Sequence, residues 1–177
     1  MTNIGFDERT GIPSEIKEMS FDEKRRELLN LFLDKVYSLD EKELTLNLIS
    51  HKKYLENRKN GGTELDVRSG DIVYIDFHEA YNYECGYAHL ALVLKVSGYK
   101  AFIVPLTSNK NACEKATTED SERFYYLGKR CSSKESCAFL NDARWINLAR
   151  VNRVIEQYAV RPYELHKIKE RIFELIL

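Results

Sequence analysis

Proline and glycine are scarce, with 3 Pro and 8 Gly in 177 residues. That excludes collagen-like and Pro/Gly-rich low-complexity chains, and no internal repeat is present. No apolar run reaches the roughly 18 residues of a membrane helix. The opening Met1-Thr-Asn-Ile-Gly-Phe-Asp-Glu lacks a basic region followed by an apolar one, so no signal peptide is expected. Four cysteines without such a leader point to reduced thiols and a cytoplasmic protein. An excess of one charge is also missing. Net charge is −1, with 12 basic against 14 acidic residues in 1–70 and 15 against 14 in 71–177. A protein gripping long duplex DNA would be more basic; a short or single-stranded nucleic acid at one local site is not excluded.

What is present is an ordinary globular mixture, 44% apolar and 31% charged, long enough to bury a core without disulfides. Two parts are expected, a helical N-terminal extension over 1–65 and a β-rich domain over 66–177. Residues 20–58 read as helix, opened by the capping-box pair Ser20 and Glu23. Phe21, Leu28, Leu29, Phe32, Leu33, Val36 and Leu39 form an apolar stripe that needs burial, as a cover over a groove or as a dimer arm. Asp40 caps a second helix, whose apolar residues are poorly sorted, and Asn60-Gly61-Gly62-Thr63 makes the linker.

Beyond the linker the period becomes two. Strands are expected at 71–77, 88–94, 101–107, 123–127, 136–140 and 144–151, with a polar loop at 108–121. Pro162 opens a closing helix over 161–177 with a stripe of Leu165, Ile168, Ile172 and Leu175. Short, closely spaced strands with flanking helices suggest an α+β protein built on a small barrel.

The second and third strands set a register. Leu90, Leu92 and Leu94 share a face, as do Phe102, Val104 and Leu106. Packing both on one core requires facing numbers with an even sum. A turn centred on Gly98 gives 196, pairing Leu94 with Phe102, Leu92 with Val104 and Leu90 with Leu106. It also sets His89 opposite Thr107, off the leucine face, beside loop 78–87.

These residues carry a family likeness. Gly70-Asp-Ile-Val-Tyr-Ile-Asp-Phe77 resembles the opening strand of the MazF/PemK toxins. Glu84-Cys-Gly-Tyr-Ala-His-Leu-Ala-Leu-Val-Leu94 is similar to their loop and second strand, of the form E-Q-G-G-x-R-P-x-L-V-I. Val104-Pro-Leu-Thr-Ser108 resembles the strand ending P-[IL]-T-S, and Asn141-Asp-Ala-Arg-Trp-Ile-Asn147 a later Q-I-R-T-I-D strand. The resemblance spans residues 68 to 155. It implies an SH3-like barrel of the MazF/PemK/CcdB kind, often a homodimer. The implied activity is metal-independent endoribonuclease action on single-stranded RNA, without a cofactor, neutralised by a cognate antitoxin protein. Thr107 matches the family's functional threonine. His89 stands where the family has arginine, Leu90 where it has proline, and Tyr87 where it has glycine.

Such cleavage turns the ribose 2′-hydroxyl on the adjacent phosphate. It needs a base, an acid and donors for the phosphorane charge. Histidine titrates near neutrality and serves either as base or as acid, but lacks the fixed charge of arginine. The resemblance thus gives His89, Thr107 and Glu84 as the catalytic candidates, Glu84 as partner acid/base or as the group orienting His89. Ser108 would help Thr107 hold the phosphate, Arg144 would restore the positive charge, and Tyr81, Tyr83 and Tyr87 would stack on bases. A catalytically silent barrel, kept as a binding or regulatory module, is the other reading of the arginine-to-histidine change. His78 is a minor alternative base, and His51 and His166 read as solvated helix residues. Lys129, Arg130 and Lys134 form a short basic cluster. Cys131 and Cys137 do not match a zinc spacing, so no metal is expected.

Overall fold

The computed structural model describes residues 12–60, 65–117 and 121–177. The opening segment and most of the expected linker, 61–63, lie outside them. Contacts divide the chain into two compact units, Met1–Thr45 and Leu46–Leu177.

The first unit is helical. A short α1, Ser14–Glu18, precedes α2, Phe21–Ser38, and the beginning of α3, Glu41–Asn60. The capping box is formed as expected: Ser20 Oγ accepts the Glu23 N–H, and Glu23 returns a carboxylate oxygen to the Ser20 N–H. Asp40 Oδ1 accepts the Glu43 N–H at 2.8 Å. Among the described residues of α2 none is buried.

The second unit holds the sheet. Its strands are β1 Asp71–Asp76, β2 Ala88–Ser97, β3 Lys100–Thr107, β4 Phe124–Gly128, β5 Ser136–Phe139, β6 Arg144–Asn147 and β7 Val151–Ala159. All pairings are antiparallel, in the order β4-β5-β3-β2-β1-β7, with β6 also on β3. The far edge of β3 is therefore shared. Lys100–Ile103 pair with β6, and Leu106 and Thr107 pair with β5. Among the described residues no ladder joins β4 to β7, so the seven-stranded sheet is open.

Three sequence expectations are corrected. The polar loop at 108–121 contains a helix, α4 Lys110–Ala116, because Asn109 caps it by accepting the Ala112 N–H at 3.2 Å. The single strand expected over 144–151 is two, β6 and β7, broken by a one-turn 3-10 helix at Leu148–Arg150, where Asn147 Oδ1 accepts the Ala149 N–H. The register reaches its even sum by another route. The β2–β3 turn has only two central residues, Gly98 and Tyr99, and Gly98 takes φ +54. That turn alone pairs odd with even numbers: Lys95 faces Phe102 and Val96 faces Ala101. One extra residue in β2, at Leu94, restores the parity, so that Leu92 faces Val104 and Val93 faces Ile103. Without that bulge the leucines of β2 would side with Ile103 and Pro105 instead of Val104.

The parity matters because both faces of β1–β2–β3 are buried. Ile72, Leu92, Leu94, Val104 and Leu106 meet Leu127, Leu140 and the stripe of α5, Pro162–Ile176. Val73, Ile75, Ala91, Val93 and Ile103 form a second core with Phe77, Ile146 and Val151. In α5 the buried residues are Leu165, Ile168 and Ile172; Leu175 lies outside the core. Each fully buried side chain stabilises by about 1.5–3 kcal/mol.

The part of α3 from Leu46 onward belongs to this unit, and its amphipathicity is reversed. Asn47 and Ser50 are buried while Leu48, Ile49 and Leu55 are exposed. Asn47 Nδ2 donates to Glu79, and Asn57 Nδ2 donates to the Ala149 carbonyl at 2.5 Å. The unsorted sequence pattern of this helix has that cause: its polar face is the one turned inward.

Ile168 has no exposed surface and sits where α5 meets the sheet. Ile168→Ala is expected to cost about 2–5 kcal/mol, read as a lower urea midpoint at unchanged slope.

Candidate active site and a second, polar cavity

Loop 78–87 joins β1 to β2 and is tied at its neck. The Phe77 N–H donates to the Tyr87 carbonyl at 2.8 Å, and the Tyr87 N–H to the His78 carbonyl at 2.6 Å. Three non-glycine residues in it take left-handed backbone: His78 at φ +66, Tyr83 at +74 and Tyr87 at +53. Such strain persists only where surrounding contacts hold it.

A further set of contacts anchors the loop at Cys85. Its N–H donates to Asp142 Oδ2 at 2.7 Å, and its carbonyl accepts from Arg144 Nη2 at 2.8 Å. Arg144 Nη2 lies 3.4 Å from the same Asp142 oxygen, and its guanidinium rests 4.8 Å from the centre of the Phe77 ring. Burial raises the Asp142 carboxyl above its ordinary range; the Cys85 N–H and Arg144 oppose this, and Glu84 adds to it. Arg144 is thus a clamp on the loop, with part of its side chain still exposed.

The sequence candidates fall on this frame as follows. His89 is exposed on β2, opposite Ile75 of β1. Thr107 ends β3, half-buried and opposite Cys137 of β5; its Oγ1 accepts the Asn109 N–H at 3.2 Å. The β2–β3 ladder runs at the 196 sum from Val93–Ile103 to Ala91–Pro105 and ends there. His89 and Thr107 lie two residues beyond its end, where β2 continues against β1 and β3 against β5. The forecast pair Leu94–Phe102 is replaced by Lys95–Phe102. Among the described residues, no hydrogen bond or ion pair joins His89 to Thr107 or Glu84. Glu84 and Ser108 are exposed, Tyr81 and Tyr83 are 86% and 96% exposed, and Tyr87 is half-buried. Arg130, of the expected basic cluster, is ion-paired with Glu164. His166 is exposed beside Glu170, whereas His51 is half-buried, its ring 5.5 Å edge-on from that of His78. Placing His51 among solvated residues is therefore corrected, because α3 turns its polar face inward.

A cavity of about 290 Å³ escaped the sequence reading. Ser50, Lys53, Tyr54, Asn57 and Arg58 line it from α3, and Asp76, His78, Asn147 and Arg150 from the sheet side. The α3 residues follow the spacing i, i+3, i+4, i+7, i+8, one helical face, and that polar stripe was the available signal. Asp76 is buried; its Oδ1 accepts the His78 N–H at 2.8 Å. Arg150 Nη1 donates to the Asp76 carbonyl at 3.3 Å. Burial lowers the affinity of the Lys53 ammonium for its proton, and the Asp76 charge partly offsets this. A neighbouring hollow of about 350 Å³ is lined by Phe77, Lys100, Arg144, Trp145 and Arg150 among others.

All four cysteines are free. Burial pushes the thiols of Cys85, Cys131 and Cys137 up to about 12. Cys113 Sγ lies 3.8 Å from the Thr107 carbonyl oxygen and 3.7 Å from that of Glu135.

No family model matches the chain, and no curated protein matches it. Among solved structures, MazF from Deinococcus radiodurans is similar to it at a TM-score of 0.49 and 16% identity, over 64% of this chain and 98% of that one.

Three outcomes follow from these contacts. Cys85, Cys131 and Cys137 stay protonated in the fold, so Ellman's reagent at pH 8 should react slowly with the native protein and read four thiols after denaturation. Below a pH of about 9 both folded and unfolded states keep these protons. As pH rises from about 9 toward 12 the unfolded chain releases protons that the fold retains, so stability should fall over that window. Arg144→Ala removes a charge-assisted hydrogen bond from the loop. Chymotrypsin should then cut at Tyr81 and Tyr83 about tenfold faster than in the wild type, with the sheet left intact by circular dichroism.

Proposed function

We propose that this chain is a toxin-like, metal-independent endoribonuclease of the MazF/PemK kind, acting on single-stranded RNA by 2′-hydroxyl attack. The reading is supported first by sequence. The four motif pieces lie in order on β1, on the loop with β2, on the end of β3, and on the segment entering β6. The observation that carries it is the 196 register. Extended two residues past its last pair, Ala91–Pro105, that register sets the exposed His89 and the half-buried Thr107 on one side at the same end of adjacent strands. On this reading the open sheet with two buried faces is an SH3-like barrel in outline.

The division of labour follows from the side chains. The His89 imidazole takes the 2′-proton or delivers one to the leaving 5′-oxygen. Thr107 and Ser108 hydroxyls hold the phosphate. Glu84, on the loop that precedes β2, is the partner acid/base or orients His89. Tyr81, Tyr83 and Tyr87 offer rings to splayed bases, each worth about 1–3 kcal/mol when stacked. Arg144 adds positive charge at the rim with Lys100 and Arg150. The partners on this reading are RNA, a cognate antitoxin protein and a second copy of the chain.

One observation favours a silent barrel. Arg144, whose charge would stand in for the family's arginine, is already held by Cys85 and Asp142. The two readings separate in one experiment. Purified chain is incubated with mixed single-stranded RNA in EDTA, and the ends are mapped. An active enzyme leaves 2′,3′-cyclic phosphate and 5′-hydroxyl ends, and His89→Ala or Thr107→Ala each slow it by about 10²-fold or more. A wild type without cleavage and a His89→Arg variant with it would identify the silent barrel. Cleavage undiminished in both alanine variants would remove His89 and Thr107 as catalytic residues.

A further inference from the structure

The reversed helix α3 builds a cavity that the ribonuclease reading does not use. None of His89, Thr107, Ser108 or Glu84 lines it. Its volume of about 290 Å³ is at the small end of ligand sites. Three cations, Lys53, Arg58 and Arg150, face it against the single carboxylate of Asp76. Two polar atoms on its wall, Ser50 Oγ and His78 Nδ1, are buried with no hydrogen-bond partner among the described residues, and Ser50 is only 3% exposed. Buried polar atoms left unpaired are costly, and helices turn apolar rather than polar faces inward unless something repays the cost. His78 is also held in left-handed backbone by the Asp76 carboxylate.

The donor set indicates the ligand class. The cationic excess calls for an anion carrying more than one negative charge. The rings of Tyr54 and His78, 6.2 Å apart and tilted at 47°, offer an aromatic wall. The two amides are half-committed: Asn57 donates its Nδ2 to Ala149 and keeps Oδ1, while Asn147 spends Oδ1 on the Ala149 N–H and keeps Nδ2. One acceptor and one donor are therefore left for a heteroaromatic edge. A bare phosphate would use neither the ring wall nor the amides.

We propose that this cavity is a binding site for a nucleoside monophosphate, as a free nucleotide or as one unit of an RNA strand. The phosphate sits with Lys53, Arg58 and the Ser50 hydroxyl, and the base lies against Tyr54 and His78 within reach of Asn57 and Asn147. The site does not depend on cleavage by His89 and Thr107.

The test is calorimetric titration of the full chain with AMP, GMP, CMP and UMP, with the matching nucleosides and inorganic phosphate as controls. At least one nucleotide should bind tenfold or more tightly than both its nucleoside and phosphate. Lys53→Met should weaken it at least tenfold. Ser50→Ala should weaken it about fivefold yet leave the melting temperature unchanged or higher, because Ser50 Oγ has no partner in the free protein. A 5′-phosphorylated 2′-O-methyl trinucleotide, which cannot be cleaved, separates the sources. Tighter binding than the mononucleotide, still weakened by Lys53→Met, assigns the site to an RNA unit; exclusion of the trinucleotide assigns it to the free nucleotide. No binding by any of the four nucleotides overturns the proposal, as does phosphate binding equally well, or both variants binding like the wild type. A chain that binds nucleotide but cuts no RNA would leave this site standing and the ribonuclease reading fallen.

Discussion

Burial of both faces of β1, β2 and β3 is the constraint on which the rest of the sheet unit depends. A sheet with one solvated face tolerates a register error by exposing a row of side chains; here every residue pair must choose between two cores. The tight Gly98–Tyr99 turn makes the wrong choice, and the extra residue at Leu94 reverses it. The same parity that sorts Leu92 with Val104 and Val93 with Ile103 decides which side chains emerge at the strand ends.

Two devices then shape the end of the sheet. One is the Cys85 clamp, where a single peptide unit is held on its N–H by Asp142 and on its carbonyl by Arg144. It anchors a loop that carries three residues in left-handed backbone and that leaves Tyr81 and Tyr83 in solvent. The other is α3, which shows Leu48, Ile49 and Leu55 outward and turns Asn47, Ser50, Lys53 and Asn57 inward. Stability alone does not favour that orientation. Both devices spend conformational or desolvation energy where two adjoining hollows open, which is where local rules are expected to be broken for a purpose.

Much of the fold was readable from residues alone. The capping box at Ser20 and Glu23, the Asp40 cap, the first three strands and the closing helix follow from patterns within a few residues of each other. The misses have physical causes. The segment 108–121 looks like a loop because its polar residues hide a two-turn helix that depends on the Asn109 cap. The break between β6 and β7 is one side-chain hydrogen bond from Asn147, which period-two counting cannot register. The reversed α3 was visible only as poor sorting, since hydrophobic periodicity assumes that the apolar face goes inward.

For the candidate site, the sequence by itself determined which residue types were available and, through parity, the expectation that His89 and Thr107 share one side and one end of their strands. Alternation is a local property, so it survives translation into number arithmetic. Only the tertiary structure decided where the ladder ends, that Arg144 is occupied by Cys85 and Asp142, and that Lys53, Asp76, His78 and Arg150 share one cavity. Those facts bring Asp142 to Cys85, 57 positions away, and Arg150 onto the same cavity as Lys53, 97 positions away, and separations of that size leave no periodic trace for sequence reasoning to find.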